Sequence, residues 1–218
     1  MLQIQDGRGQ MDRRDHKVDG HQKRRQATRE RLMLAAKSVM AETPAEAVAV
    51  DDIIREAGLG KGSFYNHFKS KEDLFFATLD DLIGTITGTV QTTIRDIEDP
   101  AEALAIGIAL HVKLATADPK IGRFIANAPA SSAMFSRYAD PVVHQTIDKG
   151  ISTGRFTIPN RKLYFVILTS SVNAVLLGRL EEQFNDGAVE ELVEAMLLLA
   201  GLSLDEAREL ASKPMPSA

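Results

Sequence analysis

With 218 residues, 44% of them hydrophobic and 26% charged, the chain has enough apolar material for a buried core and is too apolar for disorder throughout. It contains no cysteine, which excludes disulfide frameworks, thiolate metal sites and cysteine nucleophiles. The net charge of −4 conceals an asymmetry: residues 1–71 carry 14 Lys+Arg against 10 Asp+Glu, and the remainder 12 against 20. A basic end on an acidic body suits a chain that approaches phosphate with one end only.

Residues 1–20 are polar, rich in Asp, Arg, Gly and Gln, and lack apolar periodicity, so they read as a flexible arm; residues 1–17 hold no apolar core of the kind a secretory signal needs. From 22 to 42, Ala27, Leu32, Ala35, Ala36, Val39 and Met40 recur at helical spacing, with Lys23, Arg24, Arg25, Arg29 and Arg31 crowding the first turns. Pro44 then breaks the pattern. A short helix over 50–57, a turn at Gly58-Leu59-Gly60 and a second short helix over 61–68 follow, before Ser70 with Asp73 caps a long fourth helix. Beyond Pro100 the spacing predicts helices near 101–117, 120–127, 134–153, 160–184, 187–200 and 204–212, delimited by Pro119, Pro129, Gly154 with Pro159, and Gly187. No segment alternates apolar and polar residues as a half-buried strand does, so the expected class is all-α.

Two short helices joined by a tight glycine-containing turn make a helix-turn-helix, whose first helix braces while the second enters the DNA major groove. Ile53, Ile54, Ala57 and Leu59 supply its apolar contacts, and Phe64 with Phe68, four apart, give the second helix one buried face. The opposite face is then Lys61, Ser63, Tyr65, Asn66 and His67. Lys and Asn can hydrogen-bond base edges, whereas Tyr, His and Ser reach phosphate oxygens; Gly62 allows the backbone close to the duplex.

The stretch VDDIIREAGLGKGSFYNHFKSKEDLF, residues 50–75, resembles the DNA-binding domain of the TetR/AcrR family of regulators, with the basic helix before it at the expected distance. The resemblance is dense over about residues 22–80 and architectural beyond. It implies an N-terminal three-helix DNA-binding domain over 21–69 after the arm, a helical ligand-binding and dimerisation domain over 70–218, and a cytoplasmic homodimer that binds a palindromic operator in double-stranded DNA. Carried over by position, Lys61, Gly62, Ser63 and Asn66 face bases, Tyr65, His67 and Lys71 clamp phosphates, and Arg25 and Thr28 add phosphate contacts. Two positions depart from the family pattern: Gly60 stands where a Ser usually caps the recognition helix, and Ala49 where a Thr caps the preceding one. Loss of a cap costs about 1 kcal/mol, so the fold tolerates both.

In such a family the body collects an effector among its middle helices and pairs two chains through its last long ones. The segments 163–180 and 189–199 are apolar over most of their surface and suit a four-helix interface between chains. Thr169, Ser170, Ser171 and Asn173 make the first of them too polar at its centre for a membrane span of roughly 20 apolar residues, so no membrane partner is expected. Polar or aromatic residues within apolar helices are the candidate effector contacts: His111, Phe124, Met134, Phe135, Tyr138, His144 and Asn173. Few charges lie inside these helices, which favours a mostly apolar or aromatic small molecule, although Lys113 or Arg123 could pair with a carboxylate.

The five histidines fall in no zinc-binding HExxH helix, and neither a phosphate-cradling GxxxxGK[ST] loop nor a GxSxG nucleophile elbow is present. No catalytic residue, metal or cofactor is therefore expected. The competing reading is a helical small-molecule carrier or interaction protein without specific DNA binding.

Overall fold

The computed structural model describes residues 11–126 and 141–214. Among these, every regular element is a helix: α1 (Met11–Glu42), α2 (Val50–Ala57), α3 (Lys61–Tyr65), α4 (Lys71–Ile94), α5 (Pro100–Thr116), α6 (Pro119–Ala126), α7 (Pro141–Ser152), α8 (Arg161–Leu180), α9 (Gly187–Leu199) and α10 (Leu204–Ala211). The starts are set by short polar side chains that accept an otherwise unpaired backbone N–H: Ser70 from Asp73, Asp99 from Ala101, Asn160 from Leu163 and Ser203 from Glu206. Pro100 follows its cap at the first helical position, where its missing N–H costs nothing.

Three elements differ from the sequence expectation: α1, α8, and α3, which ends at Tyr65 rather than 68. Helix α1 begins at Met11, so residues 11–20 of the expected arm are helical, continuous with the helix expected from residue 22, and no proline interrupts the run. Residues 1–10 lie outside the described ones. Helix α8 stops at Leu180 rather than 184, because the N–H groups of Gln183 and Phe184 both fold back onto the Gly178 carbonyl and Glu182 adopts φ 57°. The Phe184 ring lies where a Cβ on Gly178 would sit, 2.3 Å away, so only glycine admits this return. The part of the expected 134–153 helix before Pro141 lies outside the described residues.

Two apolar clusters organise the molecule. One begins in the three-helix head with Leu32, Ala36, Met40, Ile53, Phe64 and Phe68, and continues without a break through Leu74 and Phe75 of α4 to Phe124 and Ile125 of α6. The second joins α5 to α7–α10 through Ile108, Ile147, Leu168, Met196 and Leu197. The change of composition near residue 70 marks a new helix, but the first core runs across it.

Tethers outside the cores are polar. Arg155 bridges the Asp99 cap of α5, with two hydrogen bonds of 2.8 and 2.9 Å, to Glu206 of α10 at 2.7 Å. Those bonds hold the Asp99 carboxyl below its ordinary range and raise the Arg155 guanidinium further.

Candidate nucleic-acid interface and interior cavity

The turn between α2 and α3 is built by Gly58, whose φ of 61° and ψ of 39° put it in the left-handed region that closes a helix. Arg31 of α1 reinforces it, donating from Nη2 to the Ala57 carbonyl at 2.7 Å. Ala49 offers no side-chain acceptor to α2, but the Asp52 carboxylate reaches back to take the Ala49 N–H at 3.1 Å, which supplies half of a capping box.

Helix α3 is held by Phe64, fully buried, and by Phe68 just beyond it, their rings 6.1 Å apart. This anchoring turns Lys61, Gly62, Tyr65 and Asn66 to the exterior and leaves Ser63 and His67 half-buried. Tyr65 is 53% exposed, its ring edge-on to Phe64. An aromatic projecting from so short a helix covers no core of its own. Lys61 pairs with Asp51 at 3.4 Å across the turn, both largely exposed, a contact of about 0–1 kcal/mol that a phosphate or base edge can displace. A Cβ on Gly62 would meet nothing within 4 Å, so the space over it is open to an incoming backbone.

Arg25 and Arg29 of α1 face His67 across an open cleft edged by Gln22 and Gln26. Arg29 stacks its guanidinium 5.2 Å above the Phe68 ring and donates to the Met33 sulfur. Partial burial, and after it the charges of Arg25 and Arg29, hold the His67 pKa below its usual value. Thr28 lies beside them, its hydroxyl donating to the Arg24 carbonyl at 2.9 Å. Lys71 is set apart: its Nζ donates to the Ala45, Glu46 and Val48 carbonyls at 3.0, 2.8 and 2.8 Å. With all three N–H groups engaged, it braces the α1–α2 loop rather than facing a phosphate.

In the body, a cavity of about 390 Å³ lies among α4, α5, α7 and α8, closed at one side by Ile125 of α6. Its walls are mostly apolar, interrupted by His111, Thr146, Thr169, Ser170 and Asn173, and Gly107 of α5 faces Val90 of α4. Of the expected contacts, His111 and Asn173 line it. Phe124 instead is fully buried behind the wall, its ring 5.0 Å from Phe75. His144 stands outside, stacked 4.4 Å from Phe165, itself a wall residue, with Nδ1 3.1 Å from Arg161 Nη2. Met134, Phe135 and Tyr138 lie outside the described residues. Sequence reasoning missed Thr146 and Thr169; the second sits four residues before Asn173, the helical spacing that could have paired them. Lys113 and Arg123 are exposed and do not line this cavity.

Helix α8 is, by length and composition, apolar enough to cross a membrane despite its polar centre, correcting the expectation. Within this fold its Tyr164, Phe165, Leu168 and Leu176 are core, and the polar centre turns toward the cavity through Thr169 and Asn173.

Comparison with known proteins fits this geometry. Residues 32–78 match the family model of bacterial regulatory proteins, tetR family, and residues 99–213 match the tetracyclin repressor-like C-terminal domain. The crystal structure of RolR in complex with resorcinol is 30% identical and superposes with a TM-score of 0.72, covering 89% of this chain and 98% of RolR. The fatty acid metabolism regulator protein of Bacillus subtilis is 25% identical over 164 residues, 75% of this chain and 80% of that protein. The HTH-type transcriptional repressor KstR2 of Mycolicibacterium smegmatis is 34% identical over 76 residues, 35% of this chain but only 37% of that relative's length. An anchored helix-turn-helix ahead of a hollow helical body, with both halves matching family models, makes this chain a member of the tetR family of bacterial transcriptional regulators.

Proposed function

We propose that this protein is a repressor that binds a palindromic operator as a homodimer and releases it when a small, mostly apolar or aromatic molecule enters the body cavity. The observation that carries the reading is the unbroken apolar core from recognition helix to cavity. Phe64 and Phe68 seat α3, Phe75 lies in the second turn of α4, and its ring meets Phe124 beside the cavity-lining Ile125. Filling the cavity can therefore bias the position of α4 and, with it, the recognition helix.

Lys61, Gly62, Ser63 and Asn66 are assigned to base edges, and Tyr65, His67, Arg25 and Thr28 to the phosphate backbone; His111 and Asn173 are assigned to the effector. Dimerisation is supported by large apolar side chains left exposed on the single chain: Leu163 and Val166 on α8, Leu198 and Leu199 on α9, and Phe184 between them. Two recognition helices must sit about 34 Å apart to enter successive major grooves, so a ligand need only favour another spacing. RolR holds resorcinol, which supports a small aromatic ligand for a chain of this fold.

Selection from random duplex DNA at fixed moderate salt, followed by sequencing of the bound pool, tests the reading. A repressor of this kind enriches a palindrome with half-sites about one helical turn apart. Salt-sensitive binding with no enriched sequence would instead favour a helical carrier without specific DNA recognition.

A further inference from the structure

Acids and bases interleave along residues 12–25, and α1 sorts them by face. The helix runs unbroken from Met11, and at about 100° per residue Arg13, Arg14, Lys17, His21, Arg24 and Arg25 fall within one arc of about 120°. Asp12, Asp15 and Asp19 fall within about 60° on the opposite side.

The direction of the basic face follows from what the same helix does farther along. Its arc continues through Arg31, which donates to the Ala57 carbonyl at the α2–α3 turn at 2.7 Å, and through the buried Leu32 and Ala35. Arg25, inside the arc, faces His67 across the cleft beside α3. The basic face is therefore the one that α1 turns toward the helix-turn-helix, carried on beyond it. Met11 stands 14 residues before Arg25, about 21 Å along the axis, or about six phosphate spacings on one DNA strand.

Packing does not explain this arrangement. Between residues 11 and 24 only Met11 and Val18 are apolar, so this half of the helix brings no core surface of its own. Arg13 and Arg14 stand four and three residues before Lys17, the spacings at which like charges weaken a helix. His21, Arg24 and Arg25 are exposed. Cations gathered on the side of the recognition helix, at a cost to the helix that carries them, are complementary to a row of phosphates.

We propose that the first half of α1 is a further DNA-contacting surface, a basic rail that engages the phosphate backbone adjacent to each half-site and adds affinity without sequence preference. Resting on the reading of this chain as a dimeric operator-binding protein, the rail extends the interface about four helical turns past the cleft at Arg25. Contacts to phosphate position the protein and carry no sequence information, and each one steepens the salt dependence of binding by about 0.9.

Anisotropy titrations of the full chain over a salt series, on the operator recovered by selection and on a mixed-sequence duplex of equal length, test the rail with three variants. Arg13→Gln/Arg14→Gln/Lys17→Gln removes the cations with residues that still favour helix. Arg13→Lys/Arg14→Lys keeps the charge, and Asp12→Asn/Asp15→Asn/Asp19→Asn makes an equal and opposite charge change on the other face. In the glutamine variant, affinity should fall at least tenfold on both duplexes, with their ratio unchanged. Its plot of log K against log salt should flatten by at least 2, of the about 5 that six phosphate contacts per dimer would give. The lysine variant should keep the wild-type slope, and the asparagine variant should change affinity less than threefold. An unchanged slope in the glutamine variant overturns the proposal, as does an equal loss in the lysine variant. So do equal and opposite shifts in the glutamine and asparagine variants, which net charge alone would produce. If no operator is enriched while the glutamine variant still flattens the slope on mixed-sequence DNA, the operator reading fails and the rail stands. An enriched operator with an unchanged slope gives the converse.

Discussion

In the head, neighbouring residues divide opposite tasks: Phe64 is buried, Tyr65 projects, and Phe68 locks the next turn, all within one short stretch of chain. In the body, the cavity draws its wall from five helices between Leu79 and Leu177, far apart in the chain. A surface that reads DNA is a local object, because one helix presents it; a cavity is a property of packing and arises where helices fail to fill the space between them. Helix α4 belongs to both regions, starting at the Ser70 cap beside the recognition helix and running along the cavity through Leu79, Ile83, Val90 and Ile94.

The contrast breaks first at the joint between the regions. Phe124→Ala removes a fully buried ring that packs on Phe75, and large-to-small changes of this kind cost about 3–5 kcal/mol. Urea unfolding should show a loss of that size; a loss under about 1 kcal/mol would mean that the head and body are not joined through this pair. Next comes Lys71→Met, which leaves three carbonyls of the α1–α2 loop without their shared donor. We expect a destabilisation of about 2 kcal/mol with faster amide exchange in residues 43–49. A phosphate-clamping Lys71 would instead leave stability unchanged and lower the salt slope of DNA binding by about one.

Tyr65→Ala sharpens the comparison from the other side. The exposed ring contributes little to the core, so stability should change by less than about 0.5 kcal/mol, while affinity falls about tenfold on every duplex tested. Anisotropy titrations on cognate and scrambled duplexes measure both, and undiminished affinity would reverse the assigned orientation of α3.

Helix α4 carries a smaller effect. Gly84 and Gly88 are exposed mid-helix glycines with nothing within 4 Å of a Cβ, and Thr85, Thr89, Thr92 and Thr93 bend their hydroxyls back to carbonyls one turn earlier. Nothing in the packing calls for glycine there, and both features weaken a helix. Gly88→Ala should stabilise the protein by about 0.5–1 kcal/mol; if a yielding α4 transmits the signal, the same change should also blunt ligand-induced release of DNA.

The smallest effect is one of pH. His67 sits below its ordinary pKa because of partial burial and the nearby Arg25 and Arg29. A phosphate in that cleft would raise it, so binding takes up part of a proton and affinity grows as pH falls from about 8 toward 6. Unfolding has the opposite sign: the unfolded histidine binds the proton more readily, so this residue withdraws stability as pH falls through its unfolded pKa. His67→Gln should flatten the pH dependence of DNA affinity.

What could be read in the sequence follows the same division. The positions of α2, of the Gly58 turn and of the α3 anchors follow from spacing and from residues with few conformational options, and the helix boundaries of the body follow from Pro and Ser/Asn/Asp caps. The end of α8 was not legible, because Gly178 looks like an interior helix residue until the Phe184 ring is seen to need its missing Cβ. Lys71 reads, by its position in the family pattern, as a phosphate clamp; that its ammonium closes a loop 23 to 26 residues earlier depends on tertiary placement. In the cavity, polarity within an apolar helix identified His111 and Asn173 but could not tell the wall from what lies behind it, as Phe124 and His144 show.

The most direct test of the account is operator affinity measured by anisotropy at fixed salt while a small aromatic molecule, shown by equilibrium dialysis to bind the full chain, is titrated to saturation. Coupling of the ordinary size, about 1–3 kcal/mol, predicts a fall of roughly 5- to 150-fold in affinity that tracks cavity occupancy. An affinity that stays constant while the cavity fills would contradict the claim that the body governs the head.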